Sequence, residues 1–503
     1  MDNIGYLSNF WEMMQTGKSL ENKFSLSENR KQFAGFLYVL SVDNSITYRH
    51  FESQVHNLSA NLMAGGIRKN QRVAILAENA PEGIALFWAL WQIGAIAAPL
   101  NVRFPQKQLQ ALLQNCGCRH LILAKSFEHL RFSGISTFPL EKLFLENDDV
   151  ARGDEVKIRK NFIPFDQSAT IIFTSGSTGE PAAALHRFGN HYFSALGSNQ
   201  NISFGPGDRW LLALPLYHVG GLAILFRAYL SGGTVVLPDK HTSLSKTIEQ
   251  TGVTHVSLVA TQFYRLLKEP EGQRALSKLK AILLGGSAIP GSLIDAAIAL
   301  KLPIYTSYGS TEMASQITTT PPDASAETLR TSGQLLPFRE LKIAPDGEIL
   351  VRGKTLFAGY WQDGQLRRRR DAGGWFATGD LGRLDADGYL QVLGRKDNQF
   401  ISGGENIQPE EIEKILNRHP DVVQSMVVPV QNDEFGMRPA AFVEMKNGCI
   451  LNGEQLRTYL AGRLASYKIP RFFLNWPDKP LQNNIKLNRK FFQWLAVENN
   501  KLE

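Results

Sequence analysis

The sequence predicts an α/β protein built as two unequal bodies. Three observations lead there. Short apolar runs bounded by Gly, Pro or polar residues recur along the chain, helix-period segments lie between many of them, and the texture changes beyond about Thr331. Strands alternating with helices imply parallel sheets with crossover connections.

The expected strands are 73–76, 120–124, 169–173, 210–214, 234–237, 255–259, 281–284 and 304–307, and helices are expected at 51–64, 105–114 and 293–300. The most apolar stretch, 84–100, contains Gln92, Gly94 and Pro99 and reads as a buried helix, a turn and a strand rather than a membrane span. After Thr331, residues 347–353 and 387–393 are short strands with turn signals, which suggests antiparallel β structure. Beyond Arg395 comes a smaller α+β pattern with a helix after Pro409, so the domains are placed at 1–396 and 397–503.

The 503 residues are 43% apolar and 20% charged, ordinary for a folded chain and too apolar for wholesale disorder. The net charge of +7 invites a nucleic-acid partner, but the cations are scattered. Residues 398–503 hold 13 Lys/Arg and 12 Asp/Glu, so there is no basic tail and no nucleic-acid partner is expected. One dense run, Arg367, Arg368, Arg369 and Arg370, reads as a solvated loop, with a polyanion site as the alternative. Three cysteines make no disulfide framework, and the start of the chain shows no basic segment leading into an apolar one. A reducing, cytoplasmic setting is expected, and a homo-oligomer is left open.

Four segments carry candidate chemistry. Thr174, Ser175, Gly176, Ser177, Thr178 and Gly179 follow a strand and suit an anion, with backbone N–H groups free to point inward. No Lys-Ser/Thr pair follows, so this is not the Walker pattern. Ser307, Tyr308, Gly309, Ser310, Thr311 and Glu312 combine a stacking face, a hydroxyl and a magnesium-type carboxylate, although a helix N-cap explains part of them. The third segment ends Thr378-Gly379-Asp380, and the fourth is Gly394-Arg395-Lys396-Asp397.

In order and spacing these segments resemble the adenylate-forming superfamily of acyl-CoA ligases, luciferases and peptide-synthetase adenylation domains, over about residues 47–489. Residues 186–195, 208–218, 254–259, 407–411 and 484–486 look like the o-succinylbenzoate–CoA ligases of menaquinone synthesis. The resemblance implies a small β-barrel in the large domain, a mobile C-terminal domain hinged at Asp397, and ATP, Mg²⁺ and coenzyme A as reaction partners with o-succinylbenzoate. It also implies roles. The loop from Thr174 to Gly179 would embrace the phosphates, Thr311 would contact the α-phosphate and Glu312 would hold the metal. Tyr308, between Ser307 and Gly309, would lie along adenine, with Gly286 and Ser287 as the floor where adenine meets the acyl group. Asp380 would accept the ribose hydroxyls beside Arg395. Lys486 would be the adenylation lysine and His218 a gate towards the CoA tunnel. Arg227, inside an apolar run, and Ser257 would face the second carboxylate of the acid.

The chain departs from that pattern at Ala182, where relatives carry a phosphate-contacting lysine; His186 or Arg187 could compensate. The alternatives are a ligase for another aryl or medium-chain acid, or a catalytically weakened nucleotide-binding relative.

Overall fold

The computed structural model describes residues 23–145, 162–174, 181–402, 405–432, 436–461, 463–477 and 489–500. Two large sheets dominate. The first runs Gln365–Arg367, Gly359–Gln362, Ala182–Arg187, Ser168–Thr174, Ile96–Pro99, Arg72–Leu76, His120–Leu123 and Ser136–Pro139. The second has nine strands centred on Ile304–Ser310, Ala281–Leu284, His255–Leu258, Arg209–Leu211 and Thr234–Val236. The first is parallel from Ser168–Thr174 to its Ser136–Pro139 edge and antiparallel towards the other, whereas the second is parallel at its centre and antiparallel at both edges.

Helices Pro81–Gln92 and Val219–Ser231 are apolar over nearly their whole circumference. A helix of that kind must be covered all round. One continuous core joins their side chains to Val73, Ile75 and Ile172 of the first sheet and to Trp210, Val235 and Leu283 of the second. At its centre Trp88 lies 4.3 Å from Tyr229, and Trp91 lies 5.0 Å from Phe226, ring centre to ring centre. The indoles are not left with unpaired donors: Trp88 Nε1 donates to Tyr38 Oη at 3.1 Å and Trp91 Nε1 to Ala169 O at 3.0 Å.

All eight expected strands are in place, and the segment 84–100 is indeed helix, turn and strand. Helix Tyr48–Ala64 begins three residues before its expected start, because Thr47 Oγ1 caps it by accepting from the His50 amide. The expected barrel takes the form of a four-stranded antiparallel sheet, Arg339–Ile343, Glu348–Gly353, Phe376–Leu384 and Leu390–Arg395, whose outer strands do not pair with each other.

Beyond it, Val422–Asn432, Gly436–Met445 and Phe472–Asn475 form a sheet flanked by helices Pro409–Leu416, Gly453–Ala461 and Arg489–Asn500. Arg489 fastens the last helix to the first, donating to Glu413 at 2.5 Å and Glu410 at 3.2 Å.

Trp88 is fully buried, so Trp88→Ala should lower the unfolding free energy by about 3–5 kcal/mol. Equilibrium urea denaturation checks this. An unchanged midpoint would mean that the aromatic core is not what couples the two sheets.

Candidate active site

The site lies where strand Ile304–Ser310 leaves the second sheet and turns. Gly309 sits so close to the returning strand that a Cβ there would lie 2.2 Å from Ser315 O, so this turn admits no side chain. The chain then makes a short 3-10 turn, Thr311–Met313, ended by Ala314 in the left-handed region at φ 55°. Thr311 and Glu312 are therefore presented by a tight, sterically fixed bend.

Three sequence-distant groups hold that bend. His186 is buried, and its Nε2 meets Thr311 O at 2.7 Å. Because a carbonyl only accepts, Nε2 carries the proton, and burial lowers the pKa of this ring. Tyr360 donates its hydroxyl to Glu312 Oε1 at 2.6 Å, while the Phe357 amide donates to Glu312 O at 2.7 Å. Glu312 Oε2 has no hydrogen bond among the described residues.

A single oxygen-donor carboxylate fits Mg²⁺, which keeps several waters and takes substrate phosphate oxygens besides one or two protein carboxylates. Among the described residues no group of three or more His, Cys, Asp or Glu forms a ready-made metal cage.

Tyr308 links this bend to the four-stranded sheet, its hydroxyl donating to Asp380 Oδ2 at 2.6 Å. Arg395 Nη1 donates to the other oxygen, Oδ1, at 3.2 Å. Burial raises the pKa of Asp380, and both of these donors oppose the shift. Burial and the neighbouring carboxylate push the Tyr308 phenol well above its ordinary range.

Arg395 also reaches Asp397, Nε to Oδ1 at 2.9 Å, and so bridges Asp380 and the expected hinge. Lys396 is held on the near side by Asp346 and Glu348, both at 2.7 Å. Asn398 Nδ2 donates to Glu410 Oε1 at 2.6 Å on the far side. Gly394 is at φ +146°, and a Cβ there would lie 2.4 Å from Gln408 Nε2.

Ser307 Oγ donates to Leu284 O at 3.0 Å, tying the adjacent strand end that leads to Gly286 (φ +81°) and exposed Ser287. Thr174 ends its strand opposite Ala182. Ser175, Gly176, Ser177, Thr178, Gly179 and Lys486 lie outside the described residues.

A second cluster is buried beneath the site. Arg227 is 1% exposed on helix Val219–Ser231, whose N-cap is His218. Its Nη2 donates to Gln316 Oε1 at 2.5 Å, and its guanidinium sits 4.9 Å above the Trp210 ring. Trp210 Nε1 in turn donates to Ser257 Oγ at 3.1 Å, so Arg227 and Ser257 belong to one group. Among the described residues Arg227 Nε and Nη1 have no hydrogen-bond partner, and burial lowers its pKa to about 9. Gln316 and Trp210 escaped the sequence reading, because nothing in spacing ties them to Arg227; Tyr360, 48 residues from Glu312, escaped for the same reason.

Of the two candidates for compensating the lysine absent at Ala182, His186 is engaged with Thr311 O, and Arg187 pairs with Ser168 while Ala182 pairs with Thr174, which puts the Arg187 backbone roughly 16 Å along the strand from Ala182.

The sequence pattern of the AMP-binding enzymes matches residues 26–361, and that of the AMP-binding enzyme C-terminal domain matches residues 411–486. The chain is 36% identical over 461 residues to a 2-succinylbenzoate–CoA ligase of Salmonella typhimurium, covering 91% of this chain and 94% of the relative. It is 34% identical to the Bacillus subtilis enzyme of that name, covering 89% and 94%. Its fold superposes on o-succinylbenzoate CoA synthetase (MenE) from Bacillus subtilis in complex with the acyl-adenylate intermediate OSB-AMP, with a TM-score of 0.83, 32% identity and coverage of 94% and 98%. The same Bacillus protein in complex with ATP and magnesium ion matches with a TM-score of 0.82, 32% identity and coverage of 93% and 99%. The bend with its hydroxyl and carboxylate, tied through Tyr308 to Asp380, spans residues 308–380, and the pattern matching residues 26–361 covers most of the sequence: the chain belongs to the AMP-binding enzyme family.

Proposed function

We propose that this chain is an ATP-dependent 2-succinylbenzoate–CoA ligase of menaquinone biosynthesis. The observation that carries the reading is 36% identity, over 91% of the chain, to a relative of that name, in a fold where Thr311, Glu312, Tyr308 and Asp380 converge.

In the first half-reaction a carboxylate oxygen of the acid attacks the α-phosphorus of ATP, and the bond to the departing pyrophosphate breaks. In the second, the thiol of coenzyme A attacks the acyl carbon and AMP leaves. Neither step asks the protein for a covalent bond, so its work is positioning and charge neutralisation. Thr311 donates to the α-phosphate from a bend that the His186 and Phe357 contacts keep in place. Glu312 holds Mg²⁺, which when bound supplies positive charge to the phosphate oxygens. Tyr308 lies along adenine over Gly286 and Ser287. Asp380 accepts the ribose hydroxyls, exchanging its Tyr308 and Arg395 contacts for them in part.

Residues 174–179 wrap the phosphates, and Lys486, on the small domain 397–503, brings a mobile ammonium to the developing charge. Rotation about Asp397 then exchanges the lysine for a thioester-forming surface, with His218 at the passage between acyl site and tunnel.

Arg227 and Ser257 recognise the carboxylate of the acid that is not activated. A fully buried guanidinium with two unpaired nitrogens and no carboxylate partner among the described residues favours an anionic ligand, since an unpaired buried charge is costly. Cys116, Cys118 and Cys449 are all free, in keeping with a reducing compartment, the cytoplasm. Among the described residues no helix is long and apolar enough to cross a membrane.

Three outcomes follow. Acid-dependent ATP–pyrophosphate exchange should appear with 2-succinylbenzoate; its absence at saturating ATP, with ATP still bound, would leave only a weakened nucleotide-binding relative. Lys486→Ala should abolish that exchange yet retain thioester formation from supplied acyl-adenylate, and equal loss of both would contradict the assigned role. Arg227→Gln should reduce kcat/KM for 2-succinylbenzoate by about 10- to 100-fold, the worth of a charge-assisted hydrogen bond, with ATP binding unchanged. Benzoate, which lacks the second carboxylate, should lose far less, and an equal loss for both acids would overturn the assignment.

A further inference from the structure

The run Arg367 to Arg370 is left unused by the reaction above. Two of its members, Arg368 and Arg370, form one wall of a cavity of about 300 Å³, and Arg187, Asn190 and Lys354 form others. Four cations therefore face one small concavity. Among the described residues none of the four makes an ion pair with a carboxylate, whereas ten other lysines and arginines do so.

The walls are built rather than loose. Arg370 donates to Phe357 O, and Asn190 Nδ2 donates to Lys354 O at 2.8 Å and Leu356 O at 2.9 Å. The ammonium of Lys354 sits 4.6 Å above the Phe193 ring. The charges that act on Arg370 are those of Arg187 and Arg368, and together with burial they lower its pKa. Like charges fixed this close raise the local potential and favour an anion between them.

We propose that this cavity binds a compact oligophosphate. Planar guanidinium forks suit phosphate oxygens two at a time, four cations exceed the charge of a single phosphate, and among the described residues no aromatic ring lines the cavity to stack a base. The site is distinct from the nucleotide site, because Arg187 stands at the opposite end of its strand from Ala182 and Thr174.

It nevertheless touches the catalytic bend through the backbone. Leu356 and Ala358 line the cavity on either side of Phe357, whose amide holds Glu312 O, and Arg187 follows His186, which holds Thr311 O. A bound oligophosphate thus fixes the two supports of that bend. This last consequence rests on the roles proposed for Thr311 and Glu312; the binding does not.

The test is an arginine footprint on the full-length protein: phenylglyoxal modification, read residue by residue by mass spectrometry, with and without tripolyphosphate. Modification of Arg368 and Arg370 should slow by about tenfold or more relative to sodium chloride of equal ionic strength, while exposed Arg274 is unaffected. Equal slowing by the chloride, or at Arg274, would overturn the proposal. Arg368 is exposed and makes no described hydrogen bond, so Arg368→Ser should fold normally and raise the tripolyphosphate concentration that half-protects Arg370 by several-fold, about 5- to 10-fold. An unchanged half-protection concentration would also overturn it. An ATP arm separates sources: protection of Arg368 by ATP equal to that by tripolyphosphate points to the phosphate chain of nucleotides, and protection by tripolyphosphate alone to a free anion.

Discussion

Helices Pro81–Gln92 and Val219–Ser231 have almost no polar face, and covering them on all sides is the constraint from which the large body follows. One sheet can shield only half of such a helix, so a second sheet must close over it, and the shared core around Trp88, Trp91 and Tyr229 is the outcome. Two parallel sheets clamped in this way bring strand ends with different loops close together. That is how a bend leaving one sheet, at Thr311, can be braced by His186 and Tyr360 from strands of the other. Fold and site are thus solutions to the same burial problem.

The polar interior is arranged with equal economy. Arg339 is buried beside Arg227, yet it is satisfied by Gln316 O, Pro337 O and Ser194 O. Arg227 shares Gln316 but keeps two donors unpaired. Two buried guanidinium groups that share Gln316 make a region of positive potential without a counter-charge among the described residues. Burying charge in this way is unfavourable for stability and is retained where a ligand supplies the opposite sign.

Much of this was legible in the sequence. Strand positions followed from short apolar runs, because central parallel strands are buried on both faces and show no alternation to confuse. Thr311, Glu312, Tyr308 and Asp380 could be singled out because their spacing within short segments is itself the signal, and the structure brings Tyr308 and Asp380 together beside the turn of Thr311 and Glu312. What sequence could not show are partners brought in from other strands. Tyr360, Gln316 and Trp210 look like ordinary strand residues, and only sheet order puts them beside Glu312 and Arg227. Arg187 shows a related limit: neighbours in sequence along a strand point to opposite faces and move steadily away from its end, so closeness to Ala182 in number is not closeness in space.

The fastening around Asp397 has a mechanical corollary. Lys396 is tied to Asp346 and Glu348 before it, and Asn398 to Glu410 after it, which leaves the rotation proposed above a pivot about one residue long. A lever on so short a pivot magnifies any angular error at its tip. With the small domain as that lever, the accuracy with which its far loops arrive cannot come from the joint. It has to come from the surfaces on which the domain lands, so substitutions on those surfaces, far from any reacting atom, would blur timing and placement while leaving the pivot itself untouched.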